Sequence, residues 1–200
     1  IVNLIARSKA ETQEERIADA ARQIEGAFSL VITTNDSLVG VRDPQGFRPL
    51  CLGKTEHGYV LSSESCAFDA IKAEFIRDID PGEMVIIDDR GVRSTIYAEP
   101  QKIDKKLCVF EYIYFARSDS KIDGQSVYET RLNMGRELYN ETKYDADIVM
   151  SIPDSGTTAA LGYARASGIP FAEGLIKNRY SGRTFIKPNQ EERELAVRMK

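Results

Sequence analysis

Residues 148–164, IVMSIPDSGTTAALGYA, run from an apolar stretch through Pro153, Asp154, Ser155, Gly156, Thr157 and Thr158 into a helical pattern. Hydroxyls and a carboxylate at a strand-to-helix turn suit anion chemistry. In open α/β sheets, ligands bind beyond the carboxyl ends of strands, and a helix N-terminus offers N–H groups to phosphate or pyrophosphate. Asp154 or Ser155 can also reach a divalent cation. Helix capping employs the same residue types, and spacing alone does not separate the two uses. A second stretch, KNRYSGRTFIKPNQEER (177–193), gathers Lys177, Arg179, Arg183 and Lys187 around Gly182 and Pro188. Such a loop can close over an anionic substrate and exclude water. A solvated loop accounts for the charges as well, but has little use for Phe185 and Ile186. In GVRDPQGFRPLCLG (40–53), Arg42 and Asp43 close a strand and DPQG is a turn with proline second; a hairpin connection is a sufficient explanation. Finally, CVFEYIYFARSDS (108–120) places four aromatics in six residues and then turns polar at Arg117, Asp119 and Ser120.

The elements that carry these residues follow from periodicity. Residues 11–25 predict a helix, with Ile17, Ala20, Ala21 and Ile24 on one face. From Gly26 the period shortens. AFSLVITT, LVGVRD, PLCLGK, YVLSSES, EFIRDI, EMVIID and VRSTIYAE predict short strands joined by turns, with CAFDAIKA as one short helix. EPQKIDKK is a polar connector. Beyond it the order is β-α-β-α: strand VFEYIYFA, a helix over 126–143 with Val127, Leu132 and Leu138 available to a core, strand ADIVMSIP, a loop and helix at 154–168, and strand IPFAEGLI. Alternation of this kind implies parallel pairing. As a strand, 109–116 puts Phe110, Tyr112 and Tyr114 on one face and Glu111, Ile113 and Phe115 on the other.

Composition excludes several classes. A net charge of −4 gives no electrostatic case for nucleic acid or a membrane surface, no apolar run is long enough to span a bilayer, and no secretory signal is visible. Cys51, Cys66 and Cys108 share no metal-type spacing and point to a reducing, intracellular setting, where each serves first as a small buried hydrophobe. His57, the sole histidine, lies in a hairpin turn, so no Ser/His/Asp triad can be built.

RDPQGFRPL together with SSES resembles the distal half of an N-terminal-nucleophile (Ntn) glutaminase domain. CVFEYIYFARSDS, IPDSG and LIKNRYSGRTF resemble, in order, matching stretches of the amidophosphoribosyltransferases. The resemblance implies an α+β first part (residues 1–101, the distal part of the Ntn-hydrolase glutaminase sandwich) and an α/β second part (107–200, an incomplete type I phosphoribosyltransferase with a parallel sheet). It implies the first committed step of purine biosynthesis: ammonia from glutamine attacks phosphoribosylpyrophosphate to give 5-phosphoribosylamine. Carried over by position, Ser155 is a Mg²⁺-linked residue. Residues 178–190 form the closing loop, with Lys177, Arg179, Tyr180, Arg183 and Thr184 at the substrate. Phe110, Tyr114, Phe185 and Ile186 line a dry ammonia passage that keeps the nucleophile unprotonated. Cys108 matches a [4Fe–4S] ligand of one branch, whose three partner thiolates would lie beyond Lys200. Ser118 stands where the family usually has proline, and Gly156 where a second hydroxyl is common. The resemblance assigns no catalytic residue to this chain, because the N-terminal cysteine nucleophile is absent. It therefore predicts part of a longer polypeptide, inactive alone, from a cytoplasmic homotetramer under purine-nucleotide feedback. The alternative is a non-catalytic phosphoribosyltransferase-like protein that binds a nucleotide at 148–160.

Overall fold

The computed structural model describes residues 1–180 and 182–199. The chain divides into two compact units, Ile1–Tyr128 and Glu129–Lys200. Residues 107–128, which the sequence places with the second part, pack with the first.

In the first unit, α1 (Val2–Arg7) and α2 (Gln13–Gln23) precede four antiparallel strands in the order β1 (Ser29–Thr33), β2 (Leu38–Arg42), β6 (Glu83–Asp88), β7 (Gly91–Ile96). The apolar opening run thus folds as a helix. At the start of α2, Thr12 accepts from the Glu15 N–H while Glu15 reaches back to the Thr12 N–H, satisfying two donors that helix geometry leaves free. Ile17, Ala18, Ala20 and Ala21 of α2 pack with Val39, Val41, Met84 and Ile86 of the sheet.

Successive strand residues face opposite ways, so Val85 and Ile87 enter a second cluster with Leu50, Leu61 and Ile79. That cluster is closed by three antiparallel strands in the order β4 (Gly58–Ser62), β3 (Cys51–Thr55), β5 (Glu74–Asp78). The seven strands correspond to the seven expected from sequence, and α3 (Cys66–Ala70) to the short helix. His57 is exposed in the β3–β4 turn.

The 109–116 segment is not a strand. It turns through a single π-helical bend, Glu111–Phe115, closed by the Ala116 N–H on the Glu111 carbonyl at 3.0 Å. The period-2 aromatic pattern misleads because burial here does not alternate: Glu111 and Ala116 face inward, while Phe110, Ile113, Tyr114 and Phe115 are about half exposed. A short hairpin follows, β8 (Lys121–Ile122) and β9 (Gln125–Ser126).

Glu83 is buried and takes both arms of the Arg77 guanidinium, at 2.6 and 2.8 Å, plus the Asp80 N–H at 2.7 Å. Burial pushes its carboxyl up, and these donors more than reverse that, leaving it below the ordinary glutamate value of 4.5. The stabilisation is therefore complete above 4.5 and lost as pH falls through the lower folded value. In urea melts followed against pH, Glu83→Gln is expected to flatten the acid limb of the stability curve. Parallel curves for wild type and variant would refute the assignment.

In the second unit, α4 (Val127–Glu141) begins at the unit boundary, and α5 (Thr157–Ser167) and α6 (Gln190–Arg198) follow. Leu138, expected in a core, is half exposed. The two parallel strands reduce to one parallel bridge, Val149 to Phe171, carried by Val149 N–H to Pro170 O and Ala172 N–H to Val149 O, both 2.9 Å. Parallel ladders depend on cover over both faces, and Ile148, Met150, Ile152, Leu175 and Ile176 are half exposed or more. No described helix is long and apolar enough to cross a membrane.

Candidate functional site

The strand-to-helix turn of the second unit brings two of the predicted segments together. Pro153–Asp154 is a cis peptide, and Asp154 and Ser155 lie in the turn ahead of α5. The helix N-cap is Gly156, with no side-chain cap. The side-chain capping that these residue types also allow is not made; the Thr157 hydroxyl instead pairs with Ser151 Oγ at 3.1 Å. The first N–H of α5, that of Thr157, is taken by the Asp154 carbonyl at 3.2 Å, and no side chain caps the N–H groups that follow. Lys177 Nζ reaches across to Asp154 Oδ2 at 2.9 Å. This pair is solvent-exposed, so it adds little stability, but it places the start of the basic segment over the turn.

Along that segment Tyr180 is fully exposed, and its N–H donates to Asn178 Oδ1 at 3.0 Å. Ser181, within the predicted closing loop, lies outside the described residues. Thr184–Ile186 form a 3-10 turn whose Phe185 and Ile186 are 72% and 67% exposed. Arg179 and Arg183 stand exposed beside them.

The second locus is in the first unit, where three sequence motifs meet. Arg42 is 1% exposed. Its guanidinium donates to Ile79 O at 2.6 Å, Gly46 O at 3.0 Å and Arg48 O at 3.0 Å, and to both Asp123 oxygens at 3.2 and 3.1 Å. The 40–53 connection is thus more than a hairpin. It anchors the β8–β9 hairpin, and Lys105 reinforces Asp123 at 3.1 Å. Burial pushes the Asp123 carboxyl up; Arg42 and Lys105 outweigh it and hold the group below its usual range.

SSES contributes next. Glu64 Oε2 accepts from Arg117 N–H at 2.8 Å and Ser120 Oγ at 2.7 Å, and Ser65 Oγ accepts from Lys121 N–H at 2.8 Å. Asp119 pairs with the Arg117 guanidinium. The polar cluster after the aromatics is therefore a fastening: it ties the end of the π turn to the first sheet region. Neither Arg42 nor Glu64 could be singled out from sequence.

Cys51 and Cys66 are buried, and burial first of all pushes the Cys51 thiol up to about 12, so it stays an inert thiol. Cys108 is partly exposed, its N–H on Phe47 O at 3.2 Å. Among the described residues no group of three or more Cys, His, Asp or Glu is placed to hold a metal, so the chain's own thiols do not compose a four-thiolate site. A cleft of about 590 Å³ opens elsewhere in the first unit, between the end of α2 and residues 97–102. Its lining mixes Arg22, Glu25, Glu99 and Lys102, and no set of like groups converges there.

Comparison with known proteins bears on both loci. A glutamine amidotransferase domain model matches residues 3–70. The amidophosphoribosyltransferase of Synechococcus elongatus is 53% identical over 203 residues, covering 98% of this chain and 41% of the relative. That of Methanocaldococcus jannaschii is 48% identical over 215 residues, covering all of this chain and 46% of the relative. The solved glutamine phosphoribosylpyrophosphate amidotransferase from Bacillus subtilis, complexed with ADP and GMP, superposes with a TM-score of 0.90 at 45% identity, over all of this chain and 43% of that one. The chain belongs to the amidophosphoribosyltransferase family. It spans less than half the length of these relatives. Because similarity to amidophosphoribosyltransferases runs through both units, the rival reading as a non-catalytic phosphoribosyltransferase-like nucleotide-binding protein is not favoured.

Proposed function

We propose that the protein to which these residues belong is a glutamine-dependent amidophosphoribosyltransferase of purine biosynthesis. The whole-length similarity across both units carries the reading. In this reading the first unit contributes part of an Ntn-hydrolase glutaminase domain, and the second part of a type I phosphoribosyltransferase domain. Hydrolysis of glutamine releases glutamate and ammonia. The ammonia lone pair forms the new C1–N bond of phosphoribosylpyrophosphate as the C1–O bond to pyrophosphate breaks, and the product sheds a proton to become 5-phosphoribosylamine. No residue of this chain is assigned the attack on glutamine.

The uncapped turn at Asp154–Thr158 suits the pyrophosphate end of the substrate. One hydroxyl, Ser155, and one carboxylate engaged by Lys177 do not make a protein cage for Mg²⁺. They suit an ion that arrives on substrate phosphates and keeps its waters. Lys177, Arg179, Tyr180, Arg183 and Thr184 then belong to a loop that closes over the anion. Phe110 and Tyr114 from the first unit and Phe185 and Ile186 from the second supply exposed apolar surface for a dry ammonia path. A homo-oligomeric, cytoplasmic enzyme with a [4Fe–4S] cluster on Cys108 and purine-nucleotide feedback belongs to the same proposal. ADP and GMP in the Bacillus subtilis structure support the last element.

The test is the full-length protein supplied with glutamine, phosphoribosylpyrophosphate and Mg²⁺. Glutamate, pyrophosphate and phosphoribosylamine are expected in equal amounts. Lys177→Ala should raise KM for phosphoribosylpyrophosphate about tenfold, the worth of one hydrogen bond to a charged group. Glutamine hydrolysis without any pyrophosphate release would overturn the assignment.

A further inference from the structure

The aromatic turn is gripped at both ends by carboxylates that neither half-reaction needs for its chemistry. Glu111, its first residue, is only 2% exposed. Arg48 Nη1 stands 2.6 Å from Glu111 Oε1, yet that oxygen receives no aligned N–H, so the contact is an ion pair rather than a directed hydrogen bond. The same guanidinium lies 4.8 Å from the centre of the Phe115 ring, within cation–π range. One arginine therefore spans the first and last residues of the turn. Beyond it, Glu64 holds Arg117 and Ser120. Phe115 in turn packs against Phe110 at 6.1 Å and Tyr114 at 6.0 Å between ring centres. The chain of contact thus runs from Arg48 through Phe115 to the two rings assigned to the ammonia path.

Burying a carboxylate costs several kcal/mol before pairing, and an apolar residue at 111 would close a plain core at lower cost. Burial pushes the Glu111 carboxyl above its ordinary value, Arg48 holding part of that back and Glu64 adding to it. The ion pair is a poor way to stabilise the turn; it orients the turn instead, because one guanidinium meets the carboxylate of the first residue by charge and the ring of the last by its face.

We propose that Arg48 and Glu111 are positioning residues that set Phe110, Tyr114 and Phe115 for ammonia transfer, so that loss of the pair uncouples glutamine hydrolysis from phosphoribosylamine formation. The inference rests on the amidotransferase reading. It is tested on the full-length enzyme with Glu111→Gln and Arg48→Lys; lysine keeps the charge but lacks the planar face that meets Phe115. Three rates are measured: glutamine hydrolysis, phosphoribosylamine formation from an ammonium salt, and phosphoribosylamine formation from glutamine. The first two should stay within about twofold of wild type while the third falls roughly tenfold, as small misplacements around a reacting nucleophile do, with the missing nitrogen recovered as free ammonia. If the three rates fall together, or none falls, the inference is wrong. If neither variant folds, the pair is structural and the inference is equally overturned. Wild-type enzyme that makes no phosphoribosylamine from either nitrogen source would instead refute the underlying function, a separate and recognisable result.

Discussion

Arg42→Met is expected to destabilise the first unit by about 3–5 kcal/mol, the range for breaking a buried ion pair by removing one partner. Methionine nearly fills the volume, so the loss is not mainly a cavity. It arises because Asp123, 9% exposed, keeps its charge with only Lys105 beside it, and because the carbonyls of Gly46, Arg48 and Ile79 lose their donors together. The chain has no tryptophan, so far-UV circular dichroism in urea is the suitable probe. Arg42→Met combined with Asp123→Leu should recover part of the loss, since removing both charges cancels the unpaired carboxylate, and should not recover all of it, since three carbonyls stay unsatisfied. A loss under about 1 kcal/mol for the single variant would mean that desolvation of Arg42 nearly cancels its contacts, and the anchoring role would fall.

Gly162→Ala should cost the second unit about 1–3 kcal/mol or more, the overpacking range. Propensity alone predicts the opposite sign, because alanine is favoured over glycine within a helix by about 1 kcal/mol. The reversal comes from the α4–α5 contact. A Cβ at 162 would stand 2.0 Å from the Leu132 carbonyl oxygen, and one at 135 would stand 1.9 Å from the Ala159 carbonyl oxygen. The two glycines thus face each other's helix, backbone against backbone, and a main-chain atom cannot swing aside as a side-chain tip can. Tyr139, one turn past Gly135, and Tyr163, next to Gly162, meet edge to face at 5.5 Å, so separating the helices also opens that contact. Thermal melts of Gly162→Ala against Arg136→Ala, an exposed site on α4, decide the matter. A variant at 162 as stable as wild type would show that the helices do not lie this close.

Hairpins, helices and the family could be read from residues because the information is local or contiguous. β1–β2, β3–β4 and β6–β7 each alternate about a short turn, and each pairs antiparallel as expected. α5 ends at Gly168, whose left-handed φ of 77° suits a helix stop. IPDSG and KNRYSGRTF are meaningful as strings, and the structure joins them through Lys177 and Asp154.

The errors have a common source. FEYIYF has strand-like composition, but it bends, and what it meets there is distant in sequence: Arg48 on Glu111, 63 positions apart in the chain, and Glu64 on the residues that follow. Arg42 looks like a strand-end charge until Asp123, 81 positions on, is placed beside it. Gly135 and Gly162 look like weaknesses in their helices until the helices touch. The amino-acid order by itself determined the run of helices and hairpins and the kinship of this chain, since periodicity, turn chemistry and motif order need no partner. Only the tertiary structure decided which charges are buried, where the aromatic segment bends and why two helices carry glycine. Each of these is an energy of contact between residues distant in sequence, and no local pattern encodes it.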